Sequence, residues 1–270
     1  MPSKPICALK VGASDQARLA SVSHTASLAG SHTGAQALLT RLGIAQPKDL
    51  ATFLELLKIW HVSGALSSSK IASASCSGGE ASLIADTGVS QGVSFPPLTQ
   101  LQETSLRKTL GPKVALANPL DYHTYIWGDE EAQYRCFAGM MLGKQDITLK
   151  VLDYPRPDIC DDSTWTITAR AFSRAAHDTG TRGAVVSTLP ENLPPAARKM
   201  LLEQGIVPMQ GLEECWLAIR GAAHILAKQK QHSQINPLPP LSSDFNTEEI
   251  MTLDESQSKA LMREYGIATP

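Results

Sequence analysis

Three stretches of this chain carry residue types that can do chemistry. The first is Ser23-His-Thr-Ala-Ser-Leu-Ala-Gly30. Small neighbours would leave the His24 imidazole accessible, and the hydroxyls of Ser23 and Thr25 can orient the ring. A neutral imidazole near pH 7 is a competent nucleophile toward phosphoryl groups and a competent base. The same ring can equally do no more than hydrogen-bond a loop, and His32, in Ser31-His-Thr-Gly34, repeats the local motif and competes for the role. The chain has seven histidines, none in HxH or HExxH spacing, so no metal site is expected.

The second stretch is Ser75-Cys-Ser-Gly-Gly-Glu-Ala81, between a run that reads as a strand and one that reads as a helix. Ser77, Gly78 and Gly79 would turn the chain sharply, so that the first free N–H groups of the helix point beyond the strand's carboxyl end. That arrangement cradles an anion, helped by the positive end of the helix dipole. A glycine pair before a helix is also an ordinary turn, and this one is neither GxxxxGK[ST] nor GxGxxG. Cys76 sits in the same turn, where a helix N-terminus is expected to lower a thiol pKa. The third stretch is Ala117-Asn-Pro-Leu-Asp-Tyr-His123. Asn118 before Pro119 favours extended backbone, Asp121 can bond nearby backbone, and the two read as a structural turn or as residues lining a site at the strand ends.

The elements that must position these residues follow from patterning. Of 270 residues, 43% are hydrophobic and 19% charged, enough apolar side chain for a buried core, and the formal net charge is -2. No like-charge block supports a nucleic-acid or anionic-membrane surface, and no apolar run is long enough for a membrane span. Five cysteines, widely spaced and odd in number, are expected to be reduced thiols in a cytoplasmic protein.

Strands are expected at Lys70–Ser75, Gly92–Phe95, Thr148–Tyr154, Gly183–Leu189 and Ile206–Pro208. Helices are expected at Glu80–Ser90, Leu98–Leu110, Asp129–Leu142, Ser163–Thr179, Leu193–Gln204 and Leu212–Lys228. Their alternation implies βαβ units, hence an α/β fold with a parallel sheet covered on both faces. Before this region, Pro5–Val11 reads as a short strand and Gly12–Gly34 as loop plus helix start. Helices follow at Ala35–Leu42 and at Leu50–Val62, the latter with Asp49 as N-cap and an apolar face of Leu50, Phe53, Leu54 and Leu57. After it come the Pro-rich stretch Asn236–Pro240 and a last helix, Asp254–Tyr265. The unpartnered first strand and the last helix are what a chain cut from a longer one would show.

In order and spacing, Lys4–Gly12, Ala20–Ser31, Ser77–Ala81, Ala117–Gly128, Ser187–Leu193 and the tail from Leu253 resemble the NDP-forming acyl-CoA synthetases, the succinyl-CoA synthetase-like group. The resemblance implies flavodoxin-like (succinyl-CoA synthetase-like) domains. Residues 1–63 would close a first such domain bearing the histidine loop, and 65–228 would form a second. Residues 229–270 would be a linker and the start of an ATP-grasp domain.

The implied reaction joins a carboxylic acid to CoA while ATP yields ADP and phosphate, through an acyl phosphate and a phosphohistidine. In the family that histidine lies in an SHTG-type loop. His24 matches by its flanks, with Ala26 where glycine is usual, and His32 is the alternative. Ser77, Gly78 and Gly79 would be one of two helix N-termini holding its phosphate, and Ser23, Thr25, Asn118 and Asp121 would line the site. CoA, ATP/ADP and Mg²⁺ are implied for the complete enzyme and none for this chain alone, whose partners would be CoA-binding and ATP-grasp domains or subunits. The competing reading is a non-catalytic flavodoxin-like scaffold for assembly or ligand sensing, motivated by Ala26 and the absent domains. A flavin-binding role rests on fold alone.

Overall fold

The computed structural model describes residues 4–25, 31–232 and 253–269, with side chains described outside 21–25 and 226–232. Two compact units are formed, Met1–Gln234 and Ile235–Pro270.

The first unit is built on five parallel strands: β1 (Ile71–Ser75), β2 (Leu120–Asp121), β3 (Ile147–Val151), β4 (Gly183–Ser187) and β5 (Val207–Gln210), in the order β2-β1-β3-β4-β5. This is the flavodoxin-like order, with a topological switch point between β1 and β3. Register is explicit: Ser75 pairs with Asp121, and Ala74 with Lys150. The helices are α1 (Asp15–Thr25), α2 (His32–Arg41), α3 (Leu50–Ser63), α4 (Gly78–Ser90), α5 (Gln100–Leu110), α6 (Glu130–Met141), α7 (Ser163–Thr179), α8 (Pro195–Glu203) and α9 (Leu212–His232). The second unit contains α10 (Glu255–Glu264), started by a capping box between Asp254 and Gln257.

Strand alternation divides the core into two clusters, one per sheet face. Ala72, Ala74 and Val185 join Leu106, Phe137, Phe172 and Leu201 from α5–α8 in one cluster. Ile71, Leu149, Val151 and Val186 join Leu56, Ile84, Trp216 and Ile219 from α3, α4 and α9 in the other. Both faces being covered, β1, β3 and β4 are buried throughout, which is why they read as near-continuous apolar runs.

Several expectations are corrected. Gly92–Phe95 is not a strand: Ser94 makes an isolated bridge to Lys70, and Pro96-Pro97 follow, which have no N–H to extend a ladder. Pro5–Val11 likewise gives only a parallel bridge of Cys7 to Ala45. The expected turn at Leu120–Asp121 is instead a two-residue strand, too short to show a period. Within Gly12–Gly34, residues Asp15–Thr25 are helical, so His24 lies in the last turn of a helix rather than in a loop. Gly78 and Gly79 are inside the first turn of α4 rather than ahead of it.

The apolar face assigned to α3 is also wrong. Leu50, Leu54 and Leu57 are exposed, whereas Thr52, Glu55, Leu56 and Ile59 are buried. The cause is polar. Lys58 Nζ donates to Pro208 O at 2.6 Å, and Glu55 Oε2 accepts from Gln210 N at 3.3 Å, so the helix is clamped to edge strand β5 on its mixed face.

Candidate functional site

The carboxyl ends of β1, β2 and β3 meet at the switch point, and the glycine turn lies there. Ser77 is the N-cap of α4 in extended conformation (φ -138, ψ 131), but its side chain makes no capping bond. The first intrahelical bond runs from Ala81 N to Ser77 O, at 3.0 Å. The amides of Gly78, Gly79 and Glu80 therefore have no intrahelical acceptor, the condition for holding an external anion. Gly78 is sterically fixed: a Cβ there would lie 3.2 Å from Asp121 Oδ2. Asp121 also accepts from His123 N at 2.8 Å, and His123 Nδ1 stands 3.8 Å from the other carboxylate oxygen. The structure thus brings Ser77, Gly78, Gly79 and Asp121 together.

Asn118 has a different position. Its Oδ1 accepts from Ser73 N at 3.0 Å, and its Nδ2 donates to Ile71 O at 2.9 Å and Pro96 O at 3.0 Å. The side chain acts as a surrogate for backbone along the β1 edge. His32 opens α2, where Ser31 caps the helix by accepting from Gly34 N at 3.2 Å, so that Ser-His-Thr-Gly here is a helix N-cap turn. The side chains of Ser23, His24 and Thr25, and Ala26–Gly30 altogether, lie outside the described residues.

Sequence reasoning missed a group of charges beneath the turn. Lys150, on β3, is fully buried. Its Nζ donates to Val151 O and lies 5.1 Å over the Tyr122 ring. Burial pushes its pKa down, opposed by Cys76 and Glu80, then by Cys136 and Asp153. Burial also pushes the Glu80 carboxyl up, against the pull of Lys150 and with further upward pressure from Asp153 and Asp121. Cys76 is corrected in the same way: burial raises its thiol pKa, outweighing the attraction of Lys150. Asp153 is saturated, accepting from Thr188 N and Oγ1 at 2.9 and 2.7 Å and from Asn192 Nδ2 at 3.1 Å. The Ser187–Leu193 motif therefore fixes a carboxylate at the end of β3. Lys150 and Asp153 are the only charges in the strand expected at Thr148–Tyr154, but nothing local to them marks their burial.

Among the described residues, no group of three or more His, Cys, Asp or Glu side chains is placed to hold a metal ion, and no helix is long and apolar enough to cross a membrane. The site can donate several N–H groups to an anion, with a buried ammonium below and carboxylates beside it.

The family described as succinyl-CoA ligase like flavodoxin domain matches residues 1–60. The ADP-forming acetate–CoA ligase of Methanocaldococcus jannaschii is 30% identical over 118 residues, 44% of this chain and 17% of that protein. The alpha subunit of the ADP-forming acetate–CoA ligase II of Pyrococcus furiosus is 24% identical over 229 residues, 85% of this chain and 48% of that subunit. The chain is a relative of the NDP-forming acyl-CoA synthetases.

It spans about half or less of the length of these curated relatives. An acetyl-coenzyme A synthetase 1 of Ca. Korarchaeum cryptofilum, solved with phosphate and ADP, superposes with a TM-score of 0.70 over 86% of this chain and 49% of its own. At 17% identity that likeness shows a shared fold alone.

Proposed function

We propose that this chain supplies the flavodoxin-like part of an NDP-forming acyl-CoA synthetase, and that the glycine turn at the switch point holds a phosphorylated histidine during turnover. The observation that carries the reading is the uncapped start of α4, with its free amides at the carboxyl edge of a sheet in flavodoxin-like order. In this reading His24 is the carrier, with His32 as its alternative. The imidazole nitrogen takes the γ-phosphoryl group as ADP departs. It then passes that group to a carboxylate oxygen of the acid, regenerating neutral imidazole and giving an acyl phosphate. The CoA thiolate attacks the acyl carbon, and inorganic phosphate leaves. Preorganised amides stabilise the phosphoryl group in a partly dry site.

CoA, ATP and Mg²⁺ would be held by CoA-binding and ATP-grasp partners. Residues 1–63, 65–228 and 229–270 would correspond to the end of one family domain, a second domain, and a linker with the start of the ATP-grasp part. A boundary at residue 64 would mark family architecture, since α3 shares a hydrophobic cluster with the sheet. Reduced thiols fit a cytoplasmic setting. Alone, the chain would be inactive.

The test is to mix the chain with CoA-binding and ATP-grasp parts of a relative, γ-labelled ATP and Mg²⁺. The expected product is an acid-labile, base-stable phosphate lost in His24→Asn. Labelling lost only in His32→Asn moves the role to His32, and no such phosphate on either refutes the carrier reading.

The competing reading, a non-catalytic scaffold, is favoured by one feature: Asp121 and Glu80 place negative charge beside the turn that a dianion would have to approach. Protection of the Ser23–Gly30 amides from hydrogen exchange by phosphate or nucleotide supports the carrier reading, and indifference supports the scaffold.

A further inference from the structure

A cavity lined by cationic side chains lies far from the glycine turn. Its place follows from the chain path. Ser69 Oγ donates to Gly92 O at 3.2 Å, and Ile71 N donates to Ser94 O at 2.9 Å. The end of α4 and the start of β1 are therefore neighbours at the amino edge of the sheet. The 13 residues of α4 separate this edge from the switch point by about 20 Å, at 1.5 Å per residue. The cavity holds about 730 Å³, within the size range of small-ligand sites.

Its chemistry is one-sided. Lys48, Arg220 and His224 line it, and no acidic side chain does. Among the described residues, neither Lys48 nor Arg220 takes part in an ion pair. Two carboxylates are one hydroxyl removed: Asp146 accepts from Ser67 and Ser68, and Asp49 from Thr52. Apolar walls come from Ile44 and Leu217, and Gly221 is packed against the buried Leu56, 3.3 Å from where its Cβ would lie. Gly92 has φ 77, and a Cβ there would lie 3.6 Å from Arg220 Nε. The guanidinium therefore rests on naked backbone at the rim.

We propose that this cavity is a second ligand site, for a small organic phosphate whose dianionic headgroup meets Arg220 and Lys48 and whose apolar body lies against Ile44 and Leu217. A guanidinium and an ammonium together match the charge of a phosphate monoester better than a single carboxylate, and Arg can engage two phosphate oxygens at once. Inorganic phosphate would use the cations and forgo the walls. The site is independent of the phosphohistidine reading, because it shares no residue with the glycine turn.

The test uses the full chain, titrated by calorimetry and amide NMR with adenosine monophosphate, phenyl phosphate and inorganic phosphate. At least one organic phosphate should bind ten times or more tightly than inorganic phosphate, with shifts centred on Gly92 and Gly221. The exposed Lys48→Met and Arg220→Met changes leave the core intact and together should weaken that binding at least thirtyfold. No binding of either organic phosphate at millimolar concentration overturns the proposal. So do affinity no better than that of inorganic phosphate, shifts centred on Ser77–Gly79, and binding that survives the double substitution within twofold.

Discussion

Gly78 is where a missing methyl group bears directly on the candidate site. In Gly78→Ala the new Cβ would sit 3.2 Å from Asp121 Oδ2, so the carboxylate must give by a few tenths of an ångström. Alanine also favours a helix over glycine by up to about 1 kcal/mol. The two effects oppose, so the unfolding free energy in urea should change by no more than ~1 kcal/mol. Histidine labelling in the completed enzyme should nevertheless fall at least tenfold, because the methyl and the displaced carboxylate crowd the amides. Undiminished labelling would show that the turn does not hold the phosphoryl group. At this scale the glycine turn was legible, since a glycine pair between a strand pattern and a helix pattern marks a sharp turn. Lys150 was not: a lysine inside an apolar run has no local signature of burial, which depends on Tyr122 and the helices covering it.

Helix α3 shows how an element is placed by its polar residues. Lys58 Nζ lies 2.6 Å from Glu55 Oε1, and both are tied to β5. Burial pushes the Glu55 carboxyl up despite the pull of Lys58, and it pushes Lys58 down despite Glu55. Lys58→Met leaves a buried carboxylate without its partner, which costs about 3–5 kcal/mol. The sign with pH follows from linkage. With Lys58 gone, the folded-state pKa of Glu55 rises further above its unfolded value of 4.5. The stability it contributes is then present below that value and is lost as pH rises through the folded pKa. Urea titrations should find the deficit of the variant largest at pH 7 and shrinking toward pH 4.5. A deficit that does not depend on pH would mean that Glu55 and Lys58 do not act as a charged pair. The sequence showed that α3 exists and that Asp49 starts it, a cap observed at 2.7 Å to Thr52 N. Which face it buries was misread, because apolar residues occur on two faces and only contact with β5 and α9 chooses between them.

At the scale of the whole molecule, the buried residues of both core clusters lie, among the described residues, between Ala45 and Ile225. A chain ending at Gln234 should unfold in urea at the same midpoint as the full chain, and a markedly lower midpoint would show that residues 235–270 contribute to that core. What the residues alone determined was the alternation of strand and helix, the parallel sheet it demands, and the glycine turn after β1. These follow from local patterning and turn chemistry, which neighbours in the chain settle. What tertiary structure decided was the order β2-β1-β3-β4-β5, the two-residue strand that brings Asp121 over Gly78, the burial of Lys150, and the basic cavity at the amino edge. Each is a meeting of segments distant in sequence, fixed by which apolar faces cover which side of the sheet and by hydrogen bonds that no local pattern encodes.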